Sequence, residues 1–322
     1  MRITAILNPA ARNGTAGRRR AKLEAAFRAA GLPVRWAMTE GPGHGAALAR
    51  AAAQTSDAVI AVGGDGTVHE VGRGLIEGGG SAALGVVPFG TGNDFARALR
   101  MPGSARAAIR ALAHAEIVAV DYGRVRWREE SDVREEVFVN AMGLGFDARA
   151  ADEGARTKRL PGLSAYLLAV FRALRRRVEP GARLFVGTPE HPGAPLFDGK
   201  LLFVTAGNGF SSGGGFRLTP RASLTDGLLE VLVVEAAPTR RILSILPFAL
   251  WGRHLGFREA HAHRVPAFFA ELAVGVPLHA DGEVLSRAAR RIAVEVAPGG
   301  LRVLVPQGTG NAWAVRERGN AS

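Results

Sequence analysis

Ala58-Val59-Ile60-Ala61-Val62-Gly63-Gly64-Asp65-Gly66-Thr67 is the stretch whose reading decides the fold. An apolar run of strand length stops at three glycines clustered about one carboxylate. Thr67 then opens a segment with helical spacing at Val68, Val71 and Leu75. Strand, glycine turn and helix N-terminus together make a geometry that receives phosphate. Glycines admit the anion close to the backbone, and the first-turn N–H groups of the helix point at it. A carboxylate in such a turn repels a lone phosphate, so Asp65 suggests a metal, a ribose or a hydroxyl as its neighbour. Gly-Gly-Asp-Gly is also an ordinary turn, and the stretch alone leaves both readings open.

Upstream, Ile3–Leu7 reads as a first strand, and a helix from about Gly17 to Ala30 ends at Gly31 and Pro33. Val34–Met38 is a second strand and Ala46–Ala53 an alanine-rich helix. Downstream, Gly78-Gly79-Gly80 breaks the helix after the glycine turn, and Leu84–Pro88 is another apolar strand. Gly90-Thr91-Gly92-Asn93-Asp94 makes a second polar turn, from which Phe95–Leu99 begins a helix. Short strands alternating with helices imply parallel βαβ units that take ligands at the carboxyl ends of the strands. Both glycine turns fall at such ends, which predicts that they lie side by side. Capping is the plainer role for Asn93 and Asp94, at roughly 0.5–2 kcal/mol. A cap does not require the preceding Gly-Thr-Gly, so Thr91 and Asn93 are also candidate phosphate donors.

Near residues 113–116 the rhythm changes to strands joined by Gly, Pro and Asp turns: Ile117–Tyr122, Val137–Ala141, Leu184–Val186, Leu201–Ala206, Leu228–Val234, Ala293–Val296 and Leu301–Val305. Two helices interrupt them, Ser164–Arg177 and Thr239–Leu250. The expected class is α/β in two domains. Residues 1–116 form an α/β nucleotide domain, 117–306 a mostly antiparallel β domain for substrate and metal, and 307–322 a polar tail.

The chain has 322 residues, 47% of them hydrophobic but only 7% aromatic. No run of apolar residues is long enough to span a membrane, and the N-terminus reads as a strand rather than a signal peptide. A cytoplasmic location follows as an expectation. With no cysteine, thiolate chemistry and Cys-based zinc sites are excluded. The net charge of +12 rests on arginine, since lysine occurs only as Lys22, Lys158 and Lys200. Such a surface attracts anionic lipid, phosphorylated substrates or nucleic acid. A G- and C-rich genome produces the same arginine, alanine and glycine excess. Few aromatic residues offer themselves for base stacking, so no nucleic-acid partner is expected.

Carboxylates recur in turns: Asp65, Asp94, Asp226 in Leu224-Thr225-Asp226-Gly227-Leu228, and Asp281 and Glu283 around Gly282. Phosphoryl transfer to an alcohol needs a base near the hydroxyl and a cation over the phosphates, and these residues are of the right kind. Asp226-Gly227 also suits a hairpin turn, and Asp281-Gly282 a solvated hairpin tip. No Walker motif, protein-kinase His-Arg-Asp loop or nucleophile elbow is present. The histidines have no zinc spacing.

Taken together, Gly63–Val71, Pro88–Arg97, Asn140-Ala141-Met142-Gly143-Leu144-Gly145-Phe146-Asp147-Ala148, Asn208–Gly227 and Asp281-Gly282-Glu283 resemble the motifs of the diacylglycerol kinase catalytic-domain family, in that family's order. The resemblance runs from about residue 3 to 305. It implies an NAD-kinase-like α/β domain and a β-sandwich domain with ATP in the cleft between them. Asn8, Thr39, Gly63, Gly64, Asp65, Gly66, Thr67, Glu70, Thr91, Asn93 and Asp94 are the implied nucleotide residues. Glu283 is the implied proton acceptor, with Asp65 or Asp281 as the alternative base. Mg²⁺ is implied around Asp226, with main-chain oxygens of Ser223 and Leu228. One departure is Arg12, where the family often has glycine. The activity implied is ATP-dependent phosphorylation of a lipid hydroxyl, diacylglycerol-like or sphingoid. NAD kinase and a nucleotide-binding protein without turnover are the alternatives. Arg175-Arg176-Arg177 closes a helix carrying Leu167, Leu168, Val170, Phe171 and Leu174, and a peripheral contact with anionic membrane is one reading of that helix.

Overall fold

The computed structural model describes residues 1–129, 132–156, 170–310 and 313, leaving aside the side chains of 12, 13 and 154–156. The chain divides into two compact units. Met1–Asp121 and the stretch from Pro298 onward make one, and Tyr122–Ala297 the other. The division expected from the sequence falls at residue 116 and has no returning segment.

In the first unit, β1 (Ile3–Leu7), β2 (Val34–Met38), β3 (Ala58–Gly63) and β4 (Ala83–Pro88) pair in parallel in the order β2-β1-β3-β4. The last stretch of the chain's final strand joins beside β4, with Val303 opposite Leu84. β1, β3 and β4 are buried along their whole length. A strand covered on both faces carries an unbroken apolar run, which is how these strands are legible. Among the described residues, the helices against the sheet include α1 (Ala11–Arg18), α2 (Arg20–Ala29), α3 (His44–Ala53), α4 (Asp65–Gly78), α5 (Asp94–Ala98) and α6 (Ala105–Leu112).

Two helices correct the sequence reading. The helix expected from Gly17 is two helices, and the first starts at Ala11. Asn8 Oδ1 accepts the Ala10 N–H (3.0 Å), bending the chain directly into it. α6 was not expected. Ser104 Oγ accepts the Ala107 N–H (3.3 Å) as its cap, and Ile109 and Leu112 are buried from it.

The second unit contains β5 (Ala115–Glu129, entering from the first unit), β6 (Asp132–Phe138), β7 (Ala141–Gly145), α7 (Phe146–Arg156), β8 (Gly181–Thr188), β9 (His191–Gly207), β10 (Leu229–Glu235), α8 (Thr239–Ala249), β11 (Ala260–Val265), β12 (Ala267–Ala280) and β13 (Glu283–Pro306). Antiparallel pairing runs β11-β10-β9-β7-β12-β13. β8 pairs with both β9 and β12, and β5 with β6. Phe138, Met142, Leu184, Val204, Val231, Phe268, Leu278 and Ile292 belong to one buried cluster.

Several expected strands are redrawn. Val137–Ala141 is no single strand, because the chain leaves β6 at Phe138 and enters β7 at Ala141. Ala293–Val296 and Leu301–Val305 are parts of one long β13. α7 and β12 were not expected at all. Asp226-Gly227 is not a hairpin tip, since it ends a long connection from β9 into β10. Of the helix expected over Ser164–Arg177, residues 170–175 are helical. Leu167 and Leu168 lie outside the described residues.

Candidate functional site

In the first unit, expected positions fall at the carboxyl ends of four neighbouring parallel strands. Asn8 follows β1, Thr39 follows β2, Gly63-Gly64 end β3, and Gly90 follows β4. Ligands bind at this edge of a parallel α/β sheet. The Thr39 N–H donates to the Leu7 carbonyl (3.0 Å) and the Asn8 N–H to that of Val62 (3.4 Å), so the strand pairing extends to the edge itself.

The two glycine turns touch. A Cβ at Gly90 would lie 2.4 Å from the Gly64 Cα, and one at Gly64 3.1 Å from the Gly90 Cα. The Phe89 N–H donates to the Gly63 carbonyl at 2.7 Å. Glycine is needed here because two backbones occupy the space of a side chain.

Asp65 locks the contact. Its Oδ2 accepts the Asn93 N–H (2.7 Å), and its Oδ1 accepts those of Asp94 (2.7 Å) and Phe95 (3.4 Å). The carboxylate at the start of α4 therefore caps α5 in the other turn. Burial first, then the nearby Asp94 carboxylate, pushes Asp65 up to about 6. Asn93 takes a left-handed conformation (φ 55). Its Oδ1 accepts the Gly90 N–H (2.9 Å) and its Nδ2 donates to the Gly90 carbonyl (3.0 Å). Asp94 is buried and paired with Arg97. Glu70 acts similarly for α3, accepting the N–H groups of Gly43 (2.8 Å) and Gly45 (2.7 Å). Thr67 is buried, and Thr91 is exposed at the tip of the second turn. The first-turn N–H groups of α4 lack intrahelical acceptors by construction and open at the same edge.

In the second unit, Asp281 and Gly282 form the two-residue turn between β12 and β13, with φ of 47 and 89. Two left-handed residues make the turn type favoured in tight hairpins. The Asp281 side chain is not left to solvent. Its Oδ2 accepts the Val139 N–H (2.8 Å), and its Oδ1 accepts those of Asn140 and Ala141 (2.9 Å each). This is why the expected strand breaks at Val139-Asn140. Three main-chain donors turn to a carboxylate rather than to a strand. Glu283 opens β13 with its side chain exposed. Asp281 and Glu283 thus face different ways.

Sequence reasoning missed the group beneath this turn. His279 is buried, and its Nδ1 accepts the Gly282 N–H (3.1 Å). That acceptor role puts the ring proton on Nε2, which faces Asp147 Oδ2 at 3.4 Å. Thr205 Oγ1 donates to the same oxygen (2.6 Å). Asp147 stood in a recognised motif, but nothing local marked His279 or Thr205 as its neighbours.

At the remaining site, Asp226 Oδ1 accepts the Leu228 N–H (2.9 Å), and Arg264 pairs with Oδ2. With the main-chain oxygens of Ser223 and Leu228, the turn offers hard oxygen donors of the type that suits Mg²⁺. The Arg264 guanidinium already engages that carboxylate. Glu230, also buried, accepts the Arg221 N–H (2.6 Å), and burial pushes it up to about 7.

Comparison with known proteins agrees with this architecture. Residues 2–125 match the model of the diacylglycerol kinase catalytic domain, and residues 140–305 that of the YegS C-terminal NAD kinase beta sandwich-like domain. A Pseudomonas aeruginosa protein named probable lipid kinase YegS-like is 34% identical over 255 residues, 78% of this chain and 77% of its own. A diacylglycerol kinase of Mycobacterium tuberculosis is 29% identical over 95% of this chain and 96% of its own. The crystal structure of a diacylglycerol kinase from Bacillus anthracis superposes with a TM-score of 0.69 at 19% identity, covering 96% and 98% of the two chains, and supports the fold. With two domain models matched in series and relatives aligned over most of their length, the chain belongs to the diacylglycerol kinase catalytic-domain family and is an enzyme of the lipid kinase class.

Proposed function

We propose that the protein transfers the γ-phosphate of ATP to the hydroxyl of a diacylglycerol-like or sphingoid lipid. The observation that carries this reading is the contact of the two glycine turns, joined through Asp65 at the carboxyl ends of β3 and β4. That edge presents main-chain N–H groups and the exposed Thr91 to a polyphosphate, with Thr67 buried against Gly63 behind them. Asn8 and Thr39 border it. Asp65, Glu70, Asn93 and Asp94 serve the nucleotide by holding the turns in shape.

Glu283 accepts the proton of the attacking hydroxyl. The acceptor oxygen bonds to the γ-phosphorus, the bond from phosphorus to the β,γ-bridging oxygen breaks, and ADP leaves with that electron pair. Asp65 and Asp281 suit the role less, because each carboxylate holds three N–H donors. Asp226, with the Ser223 and Leu228 carbonyls, would hold Mg²⁺, which there supplies positive charge to the second unit. The acceptor is a membrane lipid, so the protein works from the cytoplasm as a peripheral enzyme. No helix among the described residues is long and apolar enough to cross a membrane.

Incubation with labelled ATP and a panel of diacylglycerol, sphingosine, ceramide and NAD tests the reading, with Glu283→Gln run alongside. Label is expected in a lipid and lost in the variant. Label in NAD alone sinks the substrate class, and an unimpaired variant sinks the base.

A further inference from the structure

α8 carries an exposed stripe of the wrong polarity for a surface helix. Its sequence continues as Thr239-Arg240-Arg241-Ile242-Leu243-Ser244-Ile245-Leu246-Pro247-Phe248-Ala249-Leu250-Trp251. Ile242 and Ala249 are buried on the inner side. Ile242 lies in a cluster with Val170, Leu174 and Leu202, and Ala249 in one with Phe216, Leu218 and Leu232. Beyond Thr239 at the helix start, the exposed positions are Arg240, Leu243, Ser244, Pro247, Phe248 and Trp251, which is helical spacing for a single outward face. Leu243 is 43%, Phe248 42% and Trp251 65% exposed. A surface helix normally turns polar residues to water, and contiguous exposed apolar side chains mark an interaction site.

The helix is held firmly from behind. Arg241 grips Glu259 with two bonds of 2.7 and 3.0 Å, and Arg177 pairs with Thr239. Phe248 packs edge-on against Phe257, ring centroids 5.1 Å apart. The outer face is therefore a fixed part of the surface.

The charge around the stripe selects its partner. From Ala236 to Arg258 the chain has no Asp or Glu, but it carries Arg240, Arg241, Arg253 and Arg258. Arg240, Arg253 and Arg258 are exposed. The helical turn at 170–175, packed into the Ile242 cluster, adds exposed Phe171 with Arg175 over its ring at 5.7 Å. Exposed aromatic and aliphatic side chains ringed by arginine suit a helix lying in the headgroup layer of an acidic bilayer. A second copy of the chain fits poorly, since self-association through this face would oppose arginine to arginine with no acid in the stretch.

We infer that the outer face of α8, with Leu243, Phe248 and Trp251 as its apolar wedge and Arg240, Arg253 and Arg258 as its headgroup contacts, docks the protein on an anionic bilayer. This goes beyond the transfer reaction and is tested without ATP. The full chain is sedimented with vesicles of phosphatidylglycerol and phosphatidylcholine, and with phosphatidylcholine alone. The triple variant Leu243→Ser, Phe248→Ser, Trp251→Ser and the double variant Arg240→Ser, Arg253→Ser accompany the wild type. Binding is expected to anionic vesicles and to fall with salt. The triple variant should lose about tenfold or more in vesicle affinity, and the double about fivefold per arginine. Brominated lipid should quench the wild type and spare Trp251→Phe to the extent of one indole. Both multiple variants should phosphorylate a water-soluble short-chain lipid alcohol as the wild type does.

Wild-type binding to the triple variant, quenching indifferent to Trp251→Phe, or no binding to anionic vesicles overturns the proposal. So does a wild-type dimer that the triple variant converts to monomer, which would assign the stripe to a second copy. Vesicle binding through α8 without transfer to any lipid keeps this inference and removes the kinase reading. Transfer to lipid without α8-dependent binding does the reverse.

Discussion

Asp281 and Ala141 exchange two hydrogen bonds. The Asp281 N–H donates to the Ala141 carbonyl (2.8 Å), while the Asp281 carboxylate accepts the Ala141 N–H (2.9 Å). The same carboxylate takes the two preceding N–H groups, Val139 and Asn140. Asp65 does likewise in the first unit with Asn93, Asp94 and Phe95. Two of the acid turns in which the sequence suggested chemistry, those of Asp65 and Asp281, use the aspartate to gather three successive main-chain donors from a distant segment. The clasp then presents what lies next to it: the glycine turns beside Asp65, and Glu283 beside Asp281.

The first prediction separates the Asp281 carboxylate from its backbone. Asparagine tolerates the left-handed conformation at this position, but it has one acceptor oxygen and would turn an amide toward N–H donors. Hydrogen bonds to a charged acceptor contribute about 1.5–3 kcal/mol. Asp281→Asn should therefore cost at least about 2 kcal/mol in urea unfolding. An unchanged midpoint would show that the clasp is incidental.

The contact between the two glycine turns predicts a graded pair of substitutions. A methyl at Gly90 meets the Gly64 Cα at 2.4 Å, which backbone cannot relieve cheaply, whereas one at Gly64 meets Gly90 at 3.1 Å. Gly90→Ala should cost about 1–3 kcal/mol, the usual range for overpacking, and weaken binding of a fluorescent ATP analogue by tenfold or more. Gly64→Ala should be milder on both counts, and the reverse order would refute the account.

Glu230 makes stability fall as pH rises toward 7. Burial raises its folded pKa to about 7 from 4.5, so between those values the folded state holds more protons than the unfolded one. Stability therefore declines as pH rises through that window, by up to about 3 kcal/mol. Asp65, pushed up to about 6 from 3.8, has the same sign. Glu230→Gln keeps an oxygen for the Arg221 N–H. It should flatten the decline and gain most above pH 7. Urea midpoints from pH 4.5 to 8 decide it, and parallel profiles for variant and wild type would exclude Glu230 as the cause.

Glu259 acts in the opposite sense. The Arg241 guanidinium holds its carboxyl down at about 2. The stabilisation is present above the ordinary carboxylate range and is lost as pH falls toward 2. Glu259→Gln should lower the melting temperature at pH 7 and lower it by a much smaller amount at pH 2.5, where only a fraction of the linkage remains. A deficit of the same size at both pH values would show that charge is not the cause.

The sequence was most informative where burial is two-sided and local. β1, β3 and β4 are continuous apolar runs because both faces of a parallel sheet are covered, and Gly63-Gly64 and Gly90 punctuate them. It was least informative where a contact joins distant segments. Nothing near Val137 announces that Asp281 will take the N–H groups of Val139, Asn140 and Ala141 and break the strand there. Nothing near His279 announces Asp147. Asp65 was conspicuous as an acid in a phosphate-type turn, but its partners lie in the second turn, so its purpose was invisible from its own neighbourhood. α8 was legible as a helix, yet with apolar residues on both faces its periodicity could not say which face is covered.

The last prediction concerns the base. Glu283 is exposed at the start of β13, so Glu283→Gln removes a proton acceptor from the surface with little effect on packing. If Glu283 takes the hydroxyl proton, kcat should fall by about 10²–10⁴, with the urea midpoint and ATP affinity unchanged. The turn that carries Glu283 is itself held by the Gly282 N–H on His279 Nδ1. His279→Leu should therefore lower kcat by a smaller factor and also soften the fold. A catalytic loss without a stability loss in Glu283→Gln, against a joint loss in His279→Leu, distinguishes the group that moves the proton from the group that aims it. Equal stability losses in the two variants would mean that Glu283 supports the hairpin rather than the reaction.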